Sequence, residues 1–256
     1  MKPVSKEQLQ AVSVVRVFFN HQSVGANILS GIDTVSRQLG VTWNVEKVDE
    51  ASARWPAQTG LWCARLGANA KPKTKIDGFA SALRTWSGQR PQLALMKLCY
   101  VDVTCATDLP DLMGYYTHAV DELKSAVPEV VIAHMTVPLA PLPDSLKIKI
   151  KRTVGRLVHE DRDNLARTRF NRMLRDSFPN DPIFDLERVE STTPGGARNQ
   201  VAVEGEAVLG LVSAYASDPW GHLNELGSSM AARAFIDFLS SKPSTSASCT
   251  RSERTW

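Results

Sequence analysis

Residues 12–19 read Val-Ser-Val-Val-Arg-Val-Phe-Phe, a β-branched and aromatic run with a single charge, ending at Asn20 and His21. A strand this apolar needs cover on both of its faces, which a parallel sheet flanked by helices supplies. A helix follows over 26–39, with Ile28, Leu29, Ile32, Val35 and Leu39 spaced by three and four and Gly40 as its stop. The alternation recurs: a more exposed strand at 42–48, a helix at 76–86, a strand at 92–103, a helix at 112–126, a strand at 130–137, an amphipathic helix at 164–178, a short strand at 182–186 and a last helix at 225–239. The pattern predicts a three-layer α/β/α sandwich around a mostly parallel sheet of about five strands, in a single domain over 1–239. The Ser/Thr-rich segment 240–256 reads as a disordered tail.

Two stretches lack either period. Residues 49–75 are rich in Trp, Ala, Gly and Pro and predict a long surface loop, and a Gly/Thr/Pro-rich loop begins at Ser191. In an open parallel sheet the ligand site lies at the carboxyl ends of the strands, where strand order reverses. The segments to inspect are therefore 20–25, 102–107, 136–141 and the loop before the last helix.

Composition narrows the function classes. Of 256 residues 43% are hydrophobic and 22% charged, an ordinary globular balance, and 30 Lys+Arg against 27 Asp+Glu leave +3, with the basic residues interleaved with acids. Nucleic acid is not implied as a partner. No stretch approaches the roughly 18–20 apolar residues of a membrane span, so no membrane partner is implied either. The sequence as it stands reads as cytoplasmic, or as secreted or periplasmic if a signal peptide has been removed from it. Cys63, Cys99, Cys105 and Cys249 are too few for a disulfide scaffold and match no zinc spacing, so free thiols are expected and no metal or organic cofactor is implied.

Two constellations carry chemistry. Asn20-His21-Gln22-Ser23-Val24-Gly25 is a tight strand-to-helix turn. A serine there sits at a helix N-terminus, whose free N–H groups and dipole favour the negative charge an acyl-transfer nucleophile develops; it is equally suited to a plain N-cap. Asp218-Pro219-Trp220-Gly221-His222-Leu223-Asn224 precedes the last helix. Across its Pro- and Gly-containing turn the Asp218 carboxylate can curl back to hold His222 in one tautomer, leaving the other ring nitrogen to take a serine's proton. Elsewhere Cys99 and His134 read as core residues, Glu160 to Asp163 as a solvated helix start, and Gly195-Gly196 lacks the Lys-Ser or Lys-Thr of a P-loop.

Content and order of the two segments resemble the SGNH (GDSL-like) hydrolases. That family places its nucleophilic Ser after the first strand, and its Asp and His together just before the last helix. The resemblance implies a flavodoxin-like fold and a Ser23–His222–Asp218 triad with no cofactor. It also implies an oxyanion hole built from the Ser23 N–H, a glycine after the second strand (Gly67) and an Asn. The family's Gly-x-Asn-Asp after the third strand is absent here, where the chain reads Lys97-Leu98-Cys99-Tyr100-Val101-Asp102. Asn69 is the expected substitute, with Tyr100 and Lys97 as alternatives.

The expected reaction is hydrolysis of an acyl ester. Trp55, Trp62 and Arg65 in the long loop, Tyr100, and Trp220 beside His222 can rim a cleft for a small-molecule or glycan ester, which favours a carbohydrate O-deacetylase; equally, the tryptophans can pack the loop onto the domain. A non-catalytic carbohydrate- or small-molecule-binding protein on the same fold is the rival reading.

Overall fold

The computed structural model describes residues 3–153, 156, 158–203 and 205–241. Six strands, β1 (Arg16–Asn20), β2 (Val45–Lys47), β3 (Gly60–Ala64), β4 (Leu93–Met96), β5 (Val131–Met135) and β6 (Ile183–Phe184), form one sheet. Their order is β2-β3-β1-β4-β5-β6, with every neighbouring pair parallel. Helices α1 (Lys6–Ser13), α2 (Ser23–Leu39) and α8 (Glu225–Ser240) cover one face, and α3 (Pro72–Thr85), α4 (Leu109–Ala126) and α6 (His159–Ser177) the other. This is the expected three-layer α/β/α sandwich.

The pleat explains why β1 reads as continuously apolar. Val17 and Phe19 point into the core beneath α2 and α8, while Phe18 points the opposite way and stacks on Phe79 of α3 at 5.8 Å. Each such side chain contributes roughly 1.5–3 kcal/mol by burial. β1 lies between β3 and β4 and leads to α2 on one face, while β3 and β4 lead to α3 and α4 on the other, so the connections part above the end of β1.

Several boundaries differ from the sequence reading. The first strand begins at Arg16, because residues 6–13 form α1, started by a Ser5–Gln8 capping box; Val12 is buried on that helix beside Leu9. The sheet has a sixth strand inside the expected loop 49–75: β3 is buried on both faces, so its Gly-Leu-Trp-Cys-Ala shows no alternation to betray it. Trp62 on β3 is fully buried against Trp55, with ring centroids 5.8 Å apart, so neither lines a cleft. The strand expected over 92–103 ends at Met96, and a buried turn with one 3-10 turn (Tyr100–Asp102) follows.

Three further elements went unanticipated: α5 (Leu146–Thr153), α7 (Leu186–Glu190), and a hairpin of β7 (Gln200–Val203) and β8 (Glu206–Leu209) in the expected loop after Ser191. Helix α6 starts at His159, and the start read as solvated holds a fully buried Asp161 paired with Arg152 (2.6 Å). Cys63, Cys99 and Cys105 are free. His134 is a satisfied core residue, bonded to Tyr116 (2.8 Å) and Asp181 (3.1 Å). Helix α8 runs through Ser240, and the tail from 242 lies outside the described residues. No described helix is long and apolar enough to cross a membrane.

The α2–α8 contact brings the two chemical segments to one rim, and it requires Gly31, where a Cβ would stand 2.1 Å from the Ser228 carbonyl oxygen. Gly31→Ala is expected to destabilise the fold by about 1–3 kcal/mol through overpacking, read by urea unfolding. A second expectation concerns pH. Glu190 is buried, with one carboxylate oxygen accepting from the Leu139 N–H (2.7 Å) and the other without a partner among the described residues. Burial pushes its carboxyl from 4.5 up to about 8, against the opposing pull of the Leu139 N–H and Lys97. Between those values the folded protein holds a proton that the unfolded chain has released, so stability falls as pH rises from about 4.5 to about 8. Urea unfolding of Glu190→Gln across that window should show a shallower fall than the parent.

Candidate active site

Each residue of the turn after β1 has a physical task. The Asn20 side-chain oxygen accepts from the Leu66 N–H (2.9 Å), its backbone oxygen accepts from the Lys97 N–H (2.9 Å), and the His21 N–H donates to Ala64 (2.9 Å). The exit of β1 is thereby stitched to the exits of both neighbours. The His21 ring lies over Gly25, where a Cβ would stand 2.3 Å from the His21 Cβ. Its Nδ1–H donates to the Gln22 carbonyl (2.8 Å), and burial lowers its pKa to about 4, helped by Lys97 and Arg65, so it stays neutral near pH 7. Gln22, not Ser23, is the N-cap of α2; its side chain makes no capping bond and instead donates to the Gly67 carbonyl (3.2 Å). Ser23 is the first helical residue, and the N–H groups of this first turn are not taken by the cap side chain.

The segment before α8 is folded around one carboxylate. Asp218 Oδ1 accepts from the N–H groups of Trp220 (2.9 Å), Gly221 (3.0 Å) and His222 (3.3 Å), and Oδ2 accepts from His222 Nδ1 at 2.5 Å. Burial alone would raise the Asp218 pKa, but the His222 and backbone donors outweigh it and hold the carboxyl below its ordinary value. Gly221, at φ +119, passes so close to the chain after β5 that a Cβ would stand 2.7 Å from the Leu139 oxygen. Asn224 caps α8 by accepting from the Gly227 N–H (2.9 Å). The Leu223 N–H donates to Asn27 (3.2 Å), one turn along α2 from Ser23.

Tyr100 joins the two segments. With Nδ1–H committed to Asp218, His222 Nε2 is an acceptor, and the Tyr100 hydroxyl donates to it at 3.3 Å. Ser23 lies beside the same phenol and opposes the rise in its pKa. Burial first, then the Asp218 charge, raises the Tyr100 pKa, so the phenol keeps its proton. Arg167 braces the turn from α6, donating through Nε to the Tyr100 (3.0 Å) and Val103 (3.1 Å) carbonyls.

Beyond β3, Gly67 adopts φ +76, and a Cβ there would meet the Lys75 nitrogen at 2.5 Å. Asn69 is exposed, and its side-chain oxygen accepts from Lys75 Nζ (2.9 Å). Lysine only donates, so this bond fixes which way the carboxamide faces and leaves the Nδ2 hydrogens available. Lys75 is buried and ion-paired with Asp102 at 2.5 Å. Of the other expected residues, Arg65 and Trp220 are exposed, Trp62 is in the core, and Lys97 is buried with Nζ on the Leu98 carbonyl (3.2 Å) and Cys99 Sγ (3.4 Å).

Asn27, Lys75, Asp102 and Arg167 escaped sequence reading. The usable signal was polar residues inside buried helix stripes, such as Asn164, Arg167 and Asn171 at spacings of three and four on α6. Lys75→Met strands the buried Asp102 carboxylate and is expected to cost about 3–5 kcal/mol in urea unfolding.

No protein-family model and no curated protein matches the sequence. Among solved structures, a lipase/acylhydrolase from Enterococcus faecalis aligns over 90% of this chain and 98% of its own, at 10% identity and TM-score 0.53. A Streptococcus pneumonia protein described as a platelet activating factor aligns over 91% and 90%, at 9% identity and TM-score 0.51. An SGNH hydrolase from Slackia heliotrinireducens aligns over 88% and 99%, at 14% identity and TM-score 0.46. At such identities the likeness is one of fold. Sheet order, layering and alignments over nine tenths of the chain show that it shares the α/β/α fold of the first two of these proteins.

Proposed function

We propose that the protein is a serine esterase in which Ser23 attacks an acyl carbonyl, His222 carries the proton and Asp218 orients His222. The observation that carries this reading is the hydrogen-bonded relay Tyr100–His222–Asp218, with Ser23 beside the Tyr100 phenol. Ser23 stands at the open N-terminus of α2, where backbone donors and the helix dipole favour an oxyanion. The N–H groups of Ser23 and Gly67 and the Nδ2 of Asn69 are the oxyanion donors in this scheme. Tyr100, protonated through the working pH range, supplies a further O–H once a substrate displaces it from His222, in place of the Asn the family carries after its third strand. No step calls for a metal or organic cofactor.

An acyl ester is the substrate class this reading implies. The finer reading, O-deacetylation of a carbohydrate, rests on exposed Trp220 beside His222 and on Arg65, without Trp62. One observation favours the rival, a non-catalytic binding protein: the phenol of Tyr100 occupies the His222 nitrogen that a nucleophile's base must keep open.

Labelling by a serine-directed fluorophosphonate separates the two readings. Adduct mass on the Ser23 peptide, lost in Ser23→Ala, is expected; folded protein that neither labels nor hydrolyses p-nitrophenyl acetate or an acetylated sugar is a binding protein. Tyr100→Phe should lower kcat by about 10²–10³ with little change in KM if the phenol serves the transition state. A raised kcat would mean that Tyr100 obstructs the base. Faster turnover of long-chain esters than of acetylated sugars would reject the carbohydrate reading alone.

A further inference from the structure

Behind the Tyr100 turn, three donor side chains that the esterase reading does not use converge at the surface. Cys105 follows that turn; His159 and Asp163 are one turn apart on α6, and Cys105 Sγ, a His159 ring nitrogen and an Asp163 carboxylate oxygen all lie within 4.8 Å of one another. Asp163 Oδ1 accepts from the Cys105 N–H (2.9 Å), and Oδ2 lies 3.3 Å from His159 Nδ1. One Asp163 oxygen therefore holds the backbone of the Cys105 loop, while the other is presented to His159.

We propose that Cys105, His159 and Asp163 form a binding site for a divalent transition metal, with zinc as the best-fitting ion. Thiolate, imidazole and carboxylate are the donor set that zinc accepts, at about 2.3, 2.0–2.1 and 2.0–2.2 Å, so tetrahedral neighbours stand roughly 3.3–3.7 Å apart. The present separations close to those values by rotation of the exposed Cys105 and His159 side chains toward the partly buried Asp163. On binding, the Cys105 thiol proton leaves to solvent, and the thiolate and carboxylate together balance the 2+ charge with neutral His159 as third ligand. Three protein ligands leave the fourth position to water.

Two cations face this cluster: Arg162, whose charge is felt at Cys105, and Arg167, whose Nη2 is 3.7 Å from Asp163 Oδ2, beyond ordinary hydrogen-bond length. The Arg167 guanidinium is already held by the Tyr100 and Val103 carbonyls and by Asn164 (2.7 Å), so it can release Asp163 to an ion without moving. A bound ion would tie the loop that follows Tyr100 to α6. The likeness to a plain i,i+4 His–Asp pair ends at Cys105, which such a pair does not need.

The experiment uses the full chain carrying Cys249→Ser, so that the cysteine outside the described residues cannot contribute, after removal of metal with a chelator. Co²⁺ titration should raise a sulfur-to-cobalt charge-transfer band at one equivalent that Cys105→Ser abolishes. Zn²⁺ competition against a chromogenic chelator should show at least tenfold weaker binding in His159→Ala and in Asp163→Asn, and Zn²⁺ should raise the Tm of the parent but of none of the three variants. Metal-free circular dichroism and Tm matching the parent establish that the variants fold. The proposal is overturned by the absence of a thiolate–cobalt band, by a band that survives Cys105→Ser, or by equal zinc affinity in the parent and the His159 and Asp163 variants.

Discussion

The buried ion pair between Lys75 and Asp102 is the interaction on which the geometry of the site depends. Its two partners come from opposite sides of β1: Lys75 from the first turn of α3, beyond β3, and Asp102 from the turn beyond β4. Neither charge has water to solvate it, so each must be satisfied by fixed groups. Asp102 accepts from Lys75, the Cys99 N–H (2.6 Å) and the Ala70 N–H (2.9 Å), and Lys75 gives a further hydrogen to Asn69. The loops after β3 and β4 are thereby held in one geometry, which fixes the Asn69 amide on the first and the turn that carries Tyr100 on the second. An apolar pair of similar volume would cost less desolvation, but it could not orient an amide.

Around that fixed rim, burial sets the protonation states. His21 is kept neutral by the same desolvation that keeps Tyr100 protonated, and Asp218 escapes that trend because four hydrogen bonds converge on its two oxygens. The result is a directional relay from the Tyr100 hydroxyl through His222 to the Asp218 carboxylate. The polar residues of α6 serve the same end from the opposite face: Asn164 and Asn171 pair with the backbone after β5 at Ala140 and Val137, and Arg167 with the backbone after β4. Loops that would otherwise bury unpaired peptide groups are thus given partners by side chains of a helix.

Much of the fold was legible in hydrophobic period. α2 announced itself through three- and four-residue spacings and its Gly40 stop, and the Asp218–His222 turn through the turn residues Pro219 and Gly221. What escaped has a common cause. β3 and the end of β4 are buried on both faces and short, so they carry no alternation, and α1 is marked by its Ser5–Gln8 capping box more than by its apolar residues. Trp62 was misplaced because tryptophan suits both a cleft wall and a core, and only the neighbours of β3 decide which.

The sequence by itself determined the layer order, the strand-to-helix turn that puts Ser23 at a helix start, and the four-residue reach from Asp218 to His222, because each depends on residues close in the chain. Only the tertiary structure decided that Tyr100 stands between Ser23 and His222, that Lys75 orients Asn69, and that Cys105 meets α6. Those contacts join residues whose separation in sequence carries no period; they are set by the insertion of β3 beside β1 and by the desolvation that forces every buried charge to find a partner.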